Sequence, residues 1–386
     1  MPDLELILRN GNLVTSVGVT KTDIGIAEGK IVALQSSINS STLEEITATD
    51  LHIFPGVIDA HVHFNEPGRT DWEGIETGSR ALAAGGGTMF FDMPLNAHPP
   101  TCDAESFDVK LAAAKKNSLT DFALWGGLVP QNLDQLERLA ERGVIGFKAF
   151  MSNSGIEDFD RVDHASLHKG MKRVAQTGLL VAVHAESESL TQRLASEKIM
   201  GGKLSVRDYL DSRPIEAELE AIRAAIDMAG DTRCPLHVVH VSSAEGVALI
   251  TEAEKRGADV SCESCPHYLS LTDRDVENIG AVAKCAPPLR SGDEQEMLWQ
   301  RVRDGEVTTV GSDHSPSPPD MKRNANFFKV WGGISGVQHM LQLLITRGDQ
   351  SDKAFALIAK LTSFNVAERF HLPKTKGKVA VGADAD

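Results

Sequence analysis

Two histidines separated by one residue, His61 and His63, close an apolar run that begins at Pro55. On an extended strand alternate side chains share a face, so the two imidazoles project together, one pleat apart. Such a pair can grip a divalent ion, or can simply sit on a solvated strand face. The choice depends on whether other segments supply further ligands. Four do: Lys148 lies in Gly146–Phe150, His184 in Leu179–Ala185, His240 in Leu236–Val241, and Asp313 ends Thr308–Asp313. Imidazoles and a carboxylate suit zinc and similar ions. A protonated lysine cannot ligate, but burial among cations lowers its pKa. The neutral amine can then capture carbon dioxide, and the resulting carbamate bridges two metals as a carboxylate would. Taken singly, a strand-end histidine is often just hydrogen-bonded, and a lysine in an apolar strand can snorkel. Six such residues at the same end of different strands point to one site.

The elements that must position them follow from the patterning. From residue 51 onward, short apolar runs alternate with amphipathic helical stretches, the signature of parallel β/α units. Eight strands are expected: Phe54–His63, Thr88–Met93, Phe122–Gly126, Gly146–Phe150, Leu179–Ala185, Leu236–Val241, Asp259–Cys265 and Thr308–Asp313. Helices are expected at Ala104–Lys116, Asn132–Arg142, His164–Gln176, Ile215–Met228 and Ala244–Arg256, with Gly143, Gly178 and Gly257 suited to C-caps. The count predicts an α/β fold of the (β/α)8 TIM-like barrel type, with active-site residues where strands meet the loops that follow them. A doubly wound open sheet is the alternative. Further helical segments are expected at Phe327–Leu344 and Asp352–Arg369. Residues 1–50 read as β structure, with Asn10-Gly11 as a hairpin signal and Glu28-Gly29-Lys30 as a second turn. The final stretch from Gly377 reads as the start of a strand and a turn, cut short. The expected organisation is therefore 1–50 as the first part of a small β-sandwich, 51–370 as the barrel, and 371–386 as the return to the sandwich.

The six residues, in this order, resemble the binuclear amidohydrolase superfamily, and within it the cyclic amidohydrolases: dihydroorotases, hydantoinases (dihydropyrimidinases) and allantoinases. The resemblance covers nearly the whole chain and extends to Lys284-Cys285-Ala286-Pro287-Pro288-Leu289-Arg290 and to Cys265-Pro266-His267-Tyr268-Leu269. It implies that His61, His63 and Asp313 hold the more buried of two divalent ions and that His184 and His240 hold the other. Carboxylated Lys148 would bridge them. It also implies a shared hydroxide as nucleophile, with Asp313 as general base and then general acid. Zinc is the expected metal, with cobalt or manganese also suited to the donors. A homotetramer is expected by family analogy.

Which ring is hydrolysed turns on a few positions. Dihydroorotase-like sequences place an arginine two residues after the second histidine to grip a substrate carboxylate; here it is Asn65, which offers no cationic fork. Hydantoinase-like sequences carry a tyrosine five residues beyond the bridging lysine; here it is Asn153. The stretch Phe64–Gly74 most resembles the allantoinase branch, which implies allantoin, a neutral ring with a ureido tail, as substrate. Asn65, Asn153 and Ser315 would meet it, and backbone groups near Cys285 and Gly332 would contact the ring imide. A hydantoinase, or a non-catalytic relative that uses the fold as a scaffold, are the alternatives. Scaffold relatives typically lack some metal ligands, whereas all six are present here.

Composition sets outer bounds. With 386 residues, 41% hydrophobic and 33 glycines, the chain can bury a core large enough for a rigid site. A net charge of -15 leaves no basic footprint for nucleic acid or an anionic membrane, so a small-molecule partner is expected. No signal peptide or transmembrane run is evident, and five scattered cysteines suit a reducing cytoplasm better than a disulfide framework. Cys262-x-x-Cys265 has no second cysteine pair and reads as structural. Ala84-Gly85-Gly86-Gly87-Thr88 lacks the ending of a phosphate loop and reads as a tight helix-to-strand turn. His98, His164 and His168 lie off the strand ends and read as surface residues. Ser317-Pro318-Pro319-Asp320 reads as a rigid loop bordering the substrate.

Overall fold

In the computed structural model, which describes residues 4–386, the chain opens with a β sheet. Strands β1 (Leu4–Thr15), β2 (Gly18–Ala27) and β3 (Lys30–Gln35) run antiparallel in the order β3-β2-β1. β4 (Thr42–Thr47) and β5 (His52–Ile53) join β1 in parallel. Glu28 and Gly29 both take positive φ, 51° and 67°, and make the hairpin turn between β2 and β3. Asn10-Gly11 makes no hairpin. It lies inside β1, where the register slips between Leu8 and Gly11. Asp23 Oδ1 accepts the Asn10 N–H at 2.8 Å and holds it at φ 58°. A Cβ on Gly11 would lie 2.3 Å from Ile53 Cδ1, so a glycine is needed for close approach rather than for reversal. The chain turns instead after Thr15, which pairs with Gly18.

Beyond residue 56 the strands are β6 (Val57–Val62), β7 (Gly87–Asp92), β8 (Asp121–Leu124), β9 (Gly126–Gly127), β10 (Phe147–Phe150), β11 (Val181–His184), β12 (Leu236–Val238), β13 (Val260–Ser264) and β14 (Thr309–Val310). All pair in parallel, β6-β7-β8 in one run and β9 through β14 in the other. At Trp125 the chain passes from one run to the other: its N–H bonds Asp92 O at 3.1 Å, and the next N–H bonds Gly146 O at 2.9 Å. After β14 the chain meets β6 again, where Val62 bridges His314 and His63 N–H bonds His314 O at 2.7 Å.

Alternation sorts the strand residues into two cores. Ile58, Ala60, Phe91, Trp125, Ala182 and Val239 pack with Val366 and Phe370. Val57, Phe90, Phe147, Val181 and Val183 pack with the helices, for instance with Ile222 and Ala225 of Ile215–Thr232. The helices begin where the sequence supplies caps. Asp103 and Ser106 form a capping box for Ala104–Asn117, and Ser243 caps Ala244–Lys255. Gly143, in the left-handed region, ends Leu136–Arg142. The segment 84–88 is the helix-to-strand turn expected, with the helix ending at Ala84 and β7 starting at Gly87.

Several boundaries differ from expectation. The first barrel-type strand starts at Val57, not Phe54, because His52-Ile53 belongs to the N-terminal sheet. Phe327–Leu344 is not one helix. It holds two short 3₁₀ turns, Phe327–Lys329 and Val337–His339, and then the helix Met340–Arg347, because Gly332, Gly333 and Gly336 break the run. Asp352–Arg369 is helical but passes through a π turn at Lys360–Phe364. The C-terminal stretch forms no strand at Val379–Val381. Instead, Asp384 bridges Lys30, with Ile31 N–H to Ala383 O and Ala385 N–H to Gly29 O both at 2.9 Å.

Candidate metal centre

The backbone turns its ligand-type residues inward by leaving the strands early. β12 stops at Val238 and β14 at Val310, two and three residues short of His240 and Asp313. Both residues take positive φ, 41° and 46°. That conformation costs a non-glycine residue roughly 1–3 kcal/mol and is found where a site demands it. At β6 the pairing with β7 shifts between Asp59 and Val62, around His61, and His63 follows the strand directly. Asp59, fully buried, fastens this point by accepting the N–H groups of His61 (3.2 Å) and Ser312 (3.0 Å).

The six residues converge. One carboxylate oxygen of Asp313 lies 3.3 Å from His61 Nε2 and 3.6 Å from His63 Nε2. These three donors fall within 4.8 Å of one another. His184 Nδ1 and His240 Nε2 face each other at 3.2 Å, and the His240 ring lies 5.4 Å from that of His61. Lys148, on β10, is wholly buried, its Nζ 5.1 Å from the Phe150 ring centre and without a hydrogen-bond partner. Burial, against the opposing pull of Asp313 and Glu263, lowers the lysine pKa to about 7. Burial likewise pushes His61, His184 and His240 below the ordinary histidine value, which leaves neutral imidazoles. Burial would raise Asp313, but His61 and His63 hold it well below the usual carboxylate range. Neutral imidazoles, an ionised carboxylate and a buried amine with no partner form a donor set that fits divalent metal.

Two carboxylates that the sequence reading missed stand behind these side chains. Glu263 Oε1 bonds His61 Nδ1 at 2.8 Å, and Glu186 Oε2 bonds His184 Nε2 at 2.8 Å. Each fixes a ring so that its other nitrogen faces the cluster, as carboxylates behind metal-binding histidines do. Burial pushes the Glu263 carboxyl up. Glu186 is also desolvated, but Arg213 and His184 outweigh that and bring it to about 2. A glutamate inside the buried β13 and one two residues past His184 were the available signals.

A cavity of about 810 Å³ opens over His61, His63, His184, His240 and Asp313. Asn153, Ser315, Cys285 and Gly332 line it, as does Asn96, which the sequence reading did not single out. Asn96 Nδ2 reaches Ser315 Oγ at 3.4 Å. Asn153 spends its side-chain oxygen on Gly155 N–H. The Cys285 carbonyl accepts the Tyr209 hydroxyl at 2.9 Å. Asn65 is placed differently from expectation: it is 1% exposed, does not line the cavity, and bonds Pro316 O at 3.4 Å. Its backbone takes a positive φ of 64°. Cys262 and Cys265 are free and buried. His98 and His164 are exposed and His168 is half-buried. Among the described residues, no helix is long and apolar enough to cross a membrane.

The chain is similar to known proteins in sequence and in fold. The chain is 52% identical to a protein named allantoinase from Deinococcus radiodurans, over 99% of this chain and 86% of that one. It is also 52% identical to one of the same name from Rubrobacter xylanophilus, over 100% and 85%. Among solved structures it resembles the L-hydantoinase (dihydropyrimidinase) from Arthrobacter aurescens, with a TM-score of 0.96, 34% identity, and coverage of 99% and 86% of the two chains. Residues 52–386, which carry all six converging side chains, match the amidohydrolase family, and with these likenesses the chain belongs to it.

Proposed function

We propose that this chain hydrolyses the cyclic amide bond of allantoin to give allantoate. The convergence of His61, His63, Lys148, His184, His240 and Asp313 beneath one cavity carries the chemistry. Identity of 52% over 99% and 100% of this chain to two proteins named allantoinase supports the substrate. We assign His61, His63 and Asp313 to one divalent ion, His184 and His240 to a second, and Lys148, as its carbamate, to the bridge. Zinc suits these donors best. When bound, the two ions supply Lewis acidity and bring the ionisation of water close to neutral pH. Asp313 accepts the proton of the attacking water. The ring C–N bond then breaks and Asp313 returns that proton to the leaving nitrogen, leaving a carboxylate and a ureido group. Glu263 and Glu186 keep two of the imidazoles aimed while this happens. Asn96, Asn153 and Ser315 offer neutral donors and acceptors matched to a ring without charge.

The strand pairings support a closed (β/α)8 barrel over about residues 51–370. The contacts of residues 383–385 with β3 support a small β-sandwich shared by both ends of the chain. The high TM-score to a hydantoinase keeps hydantoin as the second reading of the substrate. Comparing kcat/KM for allantoin, hydantoin, dihydrouracil and dihydroorotate on the metal-loaded enzyme decides between them. Allantoin is expected to lead. A lead for hydantoin or dihydrouracil would replace it as substrate, a lead for dihydroorotate would refute the argument from Asn65, and turnover undiminished by chelation would refute the metal assignment.

A further inference from the structure

Lys284 and Lys322 are unusual cations. Lys284 is 5% exposed, and its Nζ donates to the carbonyl oxygens of Val330 (2.6 Å), Phe327 (2.7 Å) and Phe328 (3.4 Å). That uses all three N–H groups of an ammonium. The same group lies 4.4 Å from the Tyr209 ring centre and 5.3 Å from that of Phe327. Lys322 Nζ donates to Gly333 O at 2.7 Å and to Trp331 O at 2.9 Å. Among the described residues, neither lysine pairs with a carboxylate. Both spend their charge on the backbone of one irregular segment, Phe327–Gly333, of which Phe328–Gly333 lines the cavity.

Several backbone groups of that wall are also engaged, while the Trp331 indole N–H is buried without a partner. Trp331 N–H bonds Met321 O at 3.0 Å, Gly333 N–H bonds the Lys284 carbonyl at 2.7 Å, and Val330 N–H reaches Phe327 O at 3.3 Å. Gly333, at φ 143°, is pressed so close that a Cβ would sit 2.2 Å from Ser315 O. In Val330–Gly333 this leaves Gly332 alone, among the described residues, with both its N–H and its C=O unengaged. Gly332 lines the cavity. An adjacent donor and acceptor on one backbone residue match the C=O and N–H of a ring amide, as two paired strand residues match each other.

We propose that Lys284 and Lys322 are positioning residues that draw the neighbouring carbonyls away from the cavity and hold the Gly332 peptide groups ready for the substrate's ring amide. The inference rests on the reading of the cavity as a ring-binding site. A carbonyl freed from its lysine can turn inward, where it competes for the ring N–H and repels the ring oxygen.

Lys322 is only half-buried, so Lys322→Met is the first variant, with Lys322→Gln as a second that keeps polarity and Lys322→Arg as the conservative control. On the metal-loaded enzyme, KM for allantoin is expected to rise about tenfold in the Met and Gln variants, the scale of a lost hydrogen bond to a charged group. kcat should stay within about twofold and metal content should not change, because transition state and ground state lose the contact alike. Arginine, which can still donate to both carbonyls, should recover most of the loss. An unchanged KM, or a fall in kcat at constant KM, would overturn the proposal. If the parent enzyme does not turn over allantoin, the substrate assignment fails on its own. The positioning role is then decided by hydrogen exchange at Trp331–Gly333 and by calorimetric binding of succinimide. Faster exchange with weaker binding in Lys322→Met supports it, and no change in either refutes it.

Discussion

Replacing Lys148 with alanine removes the one amine among the six converging side chains and leaves a space where a bridging anion would sit. Metal content is expected to fall, and allantoin turnover to drop by about 10³-fold, the scale of deleting an electrostatic element from an active site. A short-chain carboxylic acid added to the variant should restore part of the activity, since a free carboxylate can occupy the bridging position. Full activity of Lys148→Ala without such an acid would remove Lys148 from the mechanism. The six side chains were legible in sequence because each lies in or at the end of an apolar run, where a lone polar residue stands out. Glu186 and Glu263 were not, because their meaning lies in a partner imidazole. Glu263 is 202 positions from His61 in the chain, and no local pattern links them. Asn65 shows the opposite failure. Its position next to the histidines suggested contact with substrate, but it is buried against Pro316 and does not line the cavity.

At the scale of elements, the loop that follows β6 is fixed from below. Asp92, at the end of β7, accepts the Phe64 N–H at 3.0 Å and forms a buried ion pair with Lys110 at 2.9 Å. Both side chains are 1% exposed, and Lys110 reaches from the helix Ala104–Asn117 and also donates to Met93 O at 2.5 Å. This pair joins helix, strand and the histidine-bearing loop. Lys110→Met leaves the Asp92 charge buried without its partner, so unfolding free energy measured in urea should fall by about 3–5 kcal/mol. A loss under about 1 kcal/mol, the range of an exposed pair, would mean the ion pair does not hold the loop. Helix starts and the parallel alternation could be read from caps and periodicity, because both are local. Strand ends could not. His240 and Asp313 were placed on strands running to Val241 and Asp313, yet the chain abandons pairing to bring those two side chains to the centre. Asn10-Gly11 likewise carries the residue pair of a turn, but the ladder on either side of it continues.

For the molecule as a whole, the two ends of the chain meet at one set of charges. Lys376 pairs with Asp384 at 3.0 Å and also with Asp121 and Asp386, and Asp384 pairs with Lys30 as well. Hydrogen bonds from Lys30 and then Lys376 lower the Asp384 pKa from 3.8 to about 2. A carboxylate depressed in the folded state adds stability that is fully present above its unfolded value and is lost as pH falls through the folded one. Asp384→Asn should therefore cost about 0.5–1 kcal/mol near neutral pH, a modest figure because Lys30 is half-exposed. The gap from the parent should close as pH drops from 3.8 towards about 2, as followed by urea midpoints across that window. A gap that stays constant with pH would show the loss to be one of packing rather than charge. The sequence by itself carried the residue types suited to divalent metal, their order, and their place within the β/α alternation, because side-chain identity and periodicity are local properties of the chain. The tertiary structure alone decided which nitrogen of each imidazole faces the centre, which carboxylates hold those rings, that Asn65 does not line the cavity, and that Gly332 keeps its peptide groups free. Those outcomes depend on hydrogen bonds between residues distant in sequence, and such partners exist only once the chain has closed upon itself.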